Sequence, residues 1–323
     1  MVKVFIIGCG KIGNKYVDAL KELGINIAGV SDIEFERAKE LAASCGAEPF
    51  KDYKQILSKY KSKGDIACIT TPPWCRRDIA VAFAQGNFHI FCEKPLSNSL
   101  KSAREIIETA DSLGIRVGMG FKMRYESIFA QAKMDLKKLD LGEVQYVFIN
   151  YFQPLPNREW YLDMGVTSDL LVHAMDLANW YLVSRPVSIR ASFNYNLKRT
   201  GEDKAFIEIK YNNDKRAILT GGYLHNYPEV AGTEDIIFEL VCSEGYIVGR
   251  RPDFLLIRNK SGTIKKHIKP VNAFKQELAS FISAIKKNRF PPISGIDGLK
   301  TQVMIEGALN SSKKNSAEIN LEE

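Results

Sequence analysis

The first part of the chain alternates short apolar runs with helical stripes. Val2–Gly8 is an apolar run of strand length, and Ile12, Tyr16, Leu20 and Leu23 then recur at helical spacing. Further runs of strand length follow, with helical segments between them: Ile27–Ser31, Asp65–Thr70, His89–Cys92 and Arg116–Gly120. This alternation over ~120 residues predicts a parallel sheet covered by helices.

The pattern changes after this region. Longer runs now alternate apolar and polar positions, as strands with one buried face do: Glu143–Gln153, Val187–Tyr195, Ala205–Tyr211, Arg216–Gly222 and Ile236–Val241. Helices are predicted over Ser168–Leu182 and along an apolar stripe from Phe274 to Ile285. We therefore expect an α/β protein with an N-terminal Rossmann domain, a doubly wound parallel sheet, over residues 1–122. An α+β domain with a large, mostly antiparallel open sheet is expected over residues 123–323; whether its C-terminal helices pack back on the first domain stays open.

Composition narrows the class of protein. The 45 basic and 38 acidic residues leave a net charge of +7, but the lysine clusters are dispersed, which argues against a nucleic-acid partner. No apolar run has the length of a membrane span, and the N-terminus lacks the pattern of a signal peptide. The six cysteines form no Cys-x-x-Cys pair and predict free thiols in a reducing cytoplasm. The histidines show no metal-ligand spacing, so no metal is expected.

A glycine motif follows the first predicted strand. Gly8, Gly10 and Gly13 form the pattern Gly-x-Gly-x-x-Gly at the start of a helix, which is typical of a turn that holds a dinucleotide pyrophosphate. Asp32 lies at the end of the second strand, where a carboxylate binds the ribose hydroxyls and repels a 2′-phosphate. The motif therefore predicts NAD in preference to NADP. The competing interpretation is a plain glycine turn, with Asp32 capping a helix.

A second motif, Glu93-Lys94-Pro95, follows the strand His89–Cys92. The carboxyl ends of parallel strands face the ligand crevice, where a lysine can polarise a substrate oxygen. Taken alone, the tripeptide is more typical of an exposed lysine beside a turn proline. Sequence leaves open whether the Lys94–Pro95 bond is cis.

A third motif lies on the helix predicted over Ser168–Leu182. Asp169 and His173 are four residues apart and share a face, and Asp176 lies on the same side. A histidine titrates near neutrality and can accept a hydroxyl proton as a hydride leaves. A lone histidine is more often a buried structural residue. Its combination with Lys94 and a nucleotide site favours a catalytic role.

The whole chain resembles the glucose–fructose oxidoreductase/inositol dehydrogenase family (Gfo/Idh/MocA). The motifs that carry the resemblance are the glycine turn, Thr70-Thr71-Pro72-Pro73, Glu93-Lys94-Pro95, Gly120-Phe121-x-x-Arg124-Tyr125, Asp169-x-x-x-His173-x-x-Asp176 and Pro291-x-x-Ser294-Gly295-x-Asp297-Gly298. The resemblance implies an NAD-dependent oxidoreductase that interconverts a secondary alcohol and a ketone on a sugar, polyol or sugar derivative. It also implies a homodimer or homotetramer formed through the C-terminal sheet.

The resemblance also implies roles for individual residues. His173 is expected to be the general acid/base, Lys94 to assist at the hydroxyl oxygen and Asp169 to support both substrate and histidine. The residues expected at the cofactor are Gly8, Gly10, Lys11, Ile12, Gly13, Asp32, Thr70, Thr71, Pro72, Glu93 and Lys94. The candidates for substrate contacts are Arg124, Arg158, Trp160, Tyr161 and Asp169. For the first four, ordinary loop and interface packing is an equally good interpretation.

The chain departs from the family pattern at several positions. Cys75-Arg76 stands where a Leu-His pair is frequent, and Asp163-Met164-Gly165 stands where three glycines are frequent. These changes leave the three proton-transfer residues intact but alter the substrate side of the backbone.

Two other functions stay open: a dinucleotide-binding sensor or repressor without turnover, and a glycosidase that uses NAD transiently. Reduction of an imine, a diol or a linear tetrapyrrole is also open.

Overall fold

A computed structural model describes residues 2–62, 64–156, 159–197, 199–224 and 234–321. The first elements in chain order are β1 (Val4–Ile7), α1 (Lys11–Glu22), β2 (Ile27–Ser31), α2 (Phe35–Cys45), β3 (Glu48–Phe50), α3 (Tyr53–Lys59), β4 (Ile66–Ile69), α4 (Pro73–Gln85), β5 (His89–Glu93), α5 (Leu100–Ser112) and β6 (Val117–Gly120). A 3₁₀ turn at Lys122–Tyr125 follows them.

The later elements are α6 (Ser127–Lys138), β7 (Val144–Pro154), α7 (Glu159–Met164), α8 (Val172–Leu182), β8 (Pro186–Asn194), β9 (Lys204–Tyr211), β10 (Arg216–Leu224), β11 (Asp235–Cys242), β12 (Gly245–Arg250), β13 (Phe254–Asn259), β14 (Gly262–His267), α9 (Ala273–Lys286), α10 (Gly295–Lys313) and β15 (Ile319–Asn320). A π-helical turn, Thr167–Leu171, leads directly into α8. Contacts divide the chain into two compact units. Residues 1–122 and 272–302 form the first, and residues 123–271 and 303–323 form the second.

The first unit contains a parallel sheet. Its six strands, as described, lie in the order β3-β2-β1-β4-β5-β6, so the strand order reverses between β1 and β4. This is the doubly wound order, and ligands bind at such a reversal outside the carboxyl ends of the strands. The predicted stripe on α9 is buried in this core, where Leu278, Phe281 and Ile282 pack with the side chains of β1 and α1. The Rossmann prediction is confirmed.

The second unit contains an open sheet. Its described strands lie in the order β14-β13-β12-β11-β7-β10-β9-β8-β15, and β7 and β10 run parallel while the other recorded pairs are antiparallel. The predicted mostly antiparallel sheet is therefore confirmed. Helix α8 packs on β7, and the π-helical turn contacts both β7 and β10. This packing places the Asp169 and His173 segment against the middle of the sheet.

Several element boundaries differ from the prediction. The sequence predicts a helix over residues 76–86, but helix α4 begins at Pro73, because a proline in the first helical turn has no amide that needs a partner. Strands β3 and β12 to β15 were not predicted. Of these, β3 and β14 lie at sheet edges, where β3 contains a proline and β14 is largely exposed, so neither shows apolar alternation. The predicted helix over Ser168–Leu182 contains a π-helical turn, which apolar spacing does not reveal.

Candidate active site

The glycine turn packs closely against the end of β4. Gly8 has a φ of +102°, and a Cβ at this position would lie 3.0 Å from the carbonyl carbon of Thr70 and from the amide nitrogen of Thr71. A Cβ on Gly13 would lie 2.2 Å from the Gly8 carbonyl oxygen. Larger residues at either position would push the turn away from the sheet. These are the close approaches that a dinucleotide-binding turn requires.

Asp32 connects the glycine turn to the second strand. Its Oδ2 accepts a hydrogen bond of 2.8 Å from the Cys9 amide, and its Oδ1 accepts one of 2.9 Å from the Glu34 amide. The carboxylate therefore holds the glycine turn and the Glu34 backbone, which precedes α2, and it makes no hydrogen bond to an amide within the described residues of that helix. A carboxylate has about four acceptor sites, so these two bonds leave capacity for ribose hydroxyls.

Two further features fit a bound dinucleotide. The cap residue of α1, Gly10, offers no side-chain hydrogen bond, so the first-turn amides remain available to a phosphate. The Thr71 hydroxyl oxygen is buried and has no hydrogen-bond partner among the described residues. Thr70, in contrast, places its hydroxyl 2.6 Å from the Gly8 carbonyl oxygen and so braces the turn.

The Lys94 turn has a cis Lys94–Pro95 peptide bond, which the sequence had left open. Glu93 is buried, and its carboxylate accepts hydrogen bonds from the Tyr16 hydroxyl at 2.6 Å and from the Lys94 amide at 3.1 Å. Burial and the adjacent Glu93 raise the pKa of Tyr16 well above its ordinary value, so the hydroxyl stays a donor. The Glu93 carboxylate, a predicted cofactor contact, thus has a clear role in holding this turn.

Asp169 and His173 are both buried, with 5% and 4% of their surfaces exposed. Asp169 lies on the π-helical turn, and its Oδ2 accepts a hydrogen bond of 2.9 Å from the Tyr223 hydroxyl on β10. The amide nitrogen of Gln153 lies 3.5 Å from the same oxygen. Burial, and then the Asp169 charge, raise the pKa of Tyr223, so this hydroxyl also remains protonated. Turns of π-helix are frequent at functional sites.

Glu202 supports the start of this segment. Its Oε1 accepts a hydrogen bond of 2.6 Å from the Thr167 amide, and a Cβ on Gly165 would lie 2.2 Å from its Oε2. Gly165 also has a φ of +83°, which favours glycine. Burial raises the pKa of Glu202, although the hydrogen bonds from Thr167 oppose this shift. The family often has glycine at positions 163, 164 and 165. This chain keeps glycine only at Gly165, where the Glu202 carboxyl group leaves no room for a side chain.

Asp176 is held by Arg124. The guanidinium group binds both carboxylate oxygens, with Nε 2.8 Å from Oδ2, and both side chains are nearly completely buried. Arg124, a predicted substrate contact, therefore uses two guanidinium nitrogens to bind α8 through Asp176. Trp160 and Tyr161 stack with ring centroids 3.8 Å apart, and Arg158 lies outside the described residues.

The structure thus groups the predicted residues within each unit. In the first unit, the carboxyl ends of neighbouring strands are followed by the glycine turn, Asp32, Thr70, Thr71 and the Lys94 turn. Asp169, His173 and Asp176 share one helical segment in the second unit. Sequence reasoning missed Tyr223 and Glu202. The alternation along β10 could have identified Tyr223, because its parity places it on the buried face with Leu219.

Family models match most of the chain. Residues 2–121 match the model described as "Oxidoreductase family, NAD-binding Rossmann fold", and residues 129–248 match the "GFO/IDH/MocA C-terminal domain". The chain belongs to the Gfo/Idh/MocA family. It is accordingly an oxidoreductase with an NAD-binding Rossmann fold, and the expected family, enzyme class and cofactor are confirmed.

Named relatives of this family member are sugar and polyol dehydrogenases. Glucose-6-phosphate 3-dehydrogenase from Bacillus subtilis is 29% identical over 65% of this chain and 63% of its own length. Myo-inositol 2-dehydrogenase from Thermotoga maritima is 24% identical over 100% of this chain and 99% of its own. The first alignment thus spans slightly less than two thirds of that relative.

Solved structures agree with the fold of this Gfo/Idh/MocA protein. An oxidoreductase from Agrobacterium radiobacter in complex with NAD⁺, L-tartaric acid and magnesium superposes with a TM-score of 0.90, at 21% identity over 99% of this chain and 98% of that chain. A putative myo-inositol dehydrogenase from Sinorhizobium meliloti gives a TM-score of 0.84, at 22% identity over 100% of both chains. None of the helices in the described part of the chain is both long and apolar enough to cross a bilayer.

Proposed function

We propose that this protein interconverts a secondary alcohol and a ketone on a sugar, polyol or sugar derivative, with NAD as the hydride carrier. The observation that carries the proposal is the buried Asp169 and His173 pair, which the Tyr223 hydroxyl anchors at the aspartate. The names of the relatives support the substrate class.

His173 acts as the general acid/base in this proposal. In the oxidative direction its imidazole takes the hydroxyl proton of the substrate while the carbon that bears the hydroxyl gives up a hydride. Lys94 polarises the same oxygen and stabilises the developing negative charge. Asp169 receives a substrate hydroxyl or orients His173, and Tyr223 fixes the direction of its carboxylate. Bound NAD supplies the hydride acceptor at nicotinamide C4.

The cofactor is held by residues at the ends of the parallel strands. Gly8 and Gly13 allow the turn and the helix to pack closely, and Gly10 would let the backbone approach the pyrophosphate. The amides of Lys11 and Ile12, at the start of α1, would bind its oxygens. Asp32 selects NAD over NADP by repelling a 2′-phosphate. The rest of the proposed cofactor contact is lined by Thr70, Thr71, Pro72, Glu93 and Lys94.

The open sheet is the proposed surface of a homodimer or homotetramer. Large apolar side chains on its strands are exposed, among them Phe206 at 51% and Tyr146 at 40%. We expect Phe206→Glu to lower the mass measured by light scattering after gel filtration. An unchanged mass would contradict assembly through this surface.

The six free cysteines support a cytoplasmic location.

A thermal-shift titration tests the function. We expect NAD⁺ and NADH to raise Tm more than NADP⁺ and NADPH do. A panel of myo-inositol, D-glucose 6-phosphate and UDP-N-acetylglucosamine is then screened with NAD⁺ for NADH formation, measured at the nicotinamide absorbance band. Tight NAD binding without turnover would favour a sensor. Release of a free sugar without a net change in NADH would favour a glycosidase.

A further inference from the structure

Arg76 is buried in the first turns of α4, with 4% of its surface exposed. Its neighbour Arg77 points outward, with 46% of its side chain exposed, and binds Glu105 and Asp78. Two successive arginines on one helix therefore have different environments. The buried one is part of the Cys75-Arg76 pair at which this chain departs from its family.

The guanidinium group of Arg76 donates to three backbone carbonyls. Its Nε lies 2.8 Å from the Thr71 oxygen, and its Nη1 lies 2.5 Å from the Glu93 oxygen. The same Nη1 also donates to the Pro95 oxygen. Two of these acceptors flank Lys94, one on each side, and the third lies in the turn after β4.

The charge of Arg76 has no carboxylate partner within ion-pair distance in the described part of the chain. An arginine stays protonated in proteins, so this positive charge is permanent and its burial is compensated by carbonyl dipoles. Removing the side chain would leave three carbonyls without their shared donor. The turn that carries Lys94 would then lose its connection to the turn after β4.

We propose that Arg76 is a positioning residue that fixes the backbone on both sides of Lys94 and thereby aims the Lys94 ammonium group at the substrate oxygen. This inference rests on the proposed function, because it assigns Arg76 a role through Lys94. Arg76 itself touches neither substrate nor cofactor. Its action is local to the turns after β4 and β5.

Substitution of Arg76 by glutamine tests the proposal. We expect Arg76→Gln to lower kcat about 10- to 100-fold, the loss that a displacement of about 1 Å causes in a reacting group. The Kd for NADH is expected to change by a smaller factor than kcat, because Thr71, Glu93 and Lys94 make up only part of the proposed cofactor contact. Turnover is measured with NAD⁺ and the panel sugar or polyol that the wild-type protein oxidises fastest. Arg76→Lys keeps the charge but offers one nitrogen, so it is expected not to restore kcat.

A double-mutant cycle separates positioning from a general structural role. In the Lys94→Ala background, Arg76→Gln is expected to cause no further loss of kcat, because the group it positions is absent. Arg77→Gln is the matched control and is expected to leave kcat unchanged. Hydrogen exchange read by mass spectrometry gives a measurement without substrate. Peptides covering residues 70–75 and 92–97 should exchange faster in Arg76→Gln, while β1 should not.

The outcomes distinguish this inference from the proposed function. Full turnover in Lys94→Ala would overturn the assignment of Lys94 and with it the proposed mechanism. An inactive Lys94→Ala together with a fully active Arg76→Gln would overturn only the role of Arg76. Equal losses from Arg76→Gln with and without Lys94, or recovery of kcat in Arg76→Lys, would also overturn it. Should Arg76→Gln not fold, Arg76→His, which keeps one donor, is measured in the same cycle. Unchanged exchange near residues 92–97 overturns the inference even where the panel contains no substrate.

Discussion

The two segments proposed to handle the substrate hydroxyl are held in different ways. The Lys94 turn is fixed largely through its main chain, because Arg76 binds the carbonyls beside it and Glu93 accepts its amide. The segment with Asp169 and His173 depends on side chains from distant parts of the chain, namely Tyr223 from β10 and Glu202 from the region before β9. The supports of Lys94 act on its main chain, whereas Tyr223 acts on the carboxylate of Asp169 itself. Both positions depend on the identity of the side chains that support them.

The largest effect is expected from removing the reacting groups themselves. His173→Asn and Lys94→Ala should each lower kcat by about 10²- to 10⁴-fold, the contribution typical of a positioned proton-transfer group. Stopped-flow turnover measures kcat, and fluorescence titration with NADH checks that the cofactor still binds. Loss of NADH binding in either variant would contradict the assigned roles.

Gly165 offers the next largest effect. Gly165→Ala should lower the free energy of unfolding by about 3 kcal/mol or more, since the new Cβ meets the Glu202 carboxyl group at a positive φ. Gly114→Ala is the matched control. Gly114 also has a positive φ, of +69°, but a Cβ there meets nothing within 4 Å, so the expected loss is about 1–2 kcal/mol. Urea unfolding would contradict the role of Glu202 if it gave equal losses for the two variants.

A smaller effect is expected at Tyr223. Tyr223→Phe removes the hydrogen bond to Asp169 and should lower kcat/KM by about tenfold, which corresponds to the low end of a hydrogen bond to a charged group. Tyr181→Phe is the control in the same unit, because its buried hydroxyl bonds the Phe129 carbonyl, away from Asp169. Equal activity in the two variants would show that Asp169 is oriented without Tyr223.

The smallest effect concerns pH and the first unit. Burial, and then the nearby Arg116, lower the pKa of His89 from its ordinary 6.5, and its Nδ1 accepts the Arg116 amide. The unfolded chain therefore binds more protons than the folded chain just below pH 6.5. The stability contributed by neutral His89 is complete above that pH and is lost as the pH falls from 6.5 through the lowered folded pKa. Urea midpoints between pH 5 and 8 should decline less steeply in His89→Gln; parallel curves would contradict this linkage.

Sequence and structure agree best where the chemistry is local. The glycine turn and Asp32 lie within one strand-helix-strand unit, so their spacing alone predicted the Rossmann fold of the first unit. Tyr223 lies 54 residues from Asp169, and no periodicity connects them. The pairing of Gly165 with Glu202 was equally hidden, because it depends on a φ value and a close approach. The ion pair of Arg124 with Asp176 was not predicted, because it joins residues 52 positions apart; the substrate contact of Arg124 stays a prediction.

The order of the chain has a consequence for biosynthesis. The core around β1 and α1 includes Phe281 from α9, and a Cβ on Gly118 would lie 2.4 Å from that ring. Residues 123–271, which belong to the other unit, must therefore be synthesised before the core around β1 and α1 can be completed. An N-terminal fragment ending at residue 122 would expose an apolar surface to solvent, and the nascent chain carries this surface for most of its synthesis. Chaperone demand should accordingly persist until α9 has emerged.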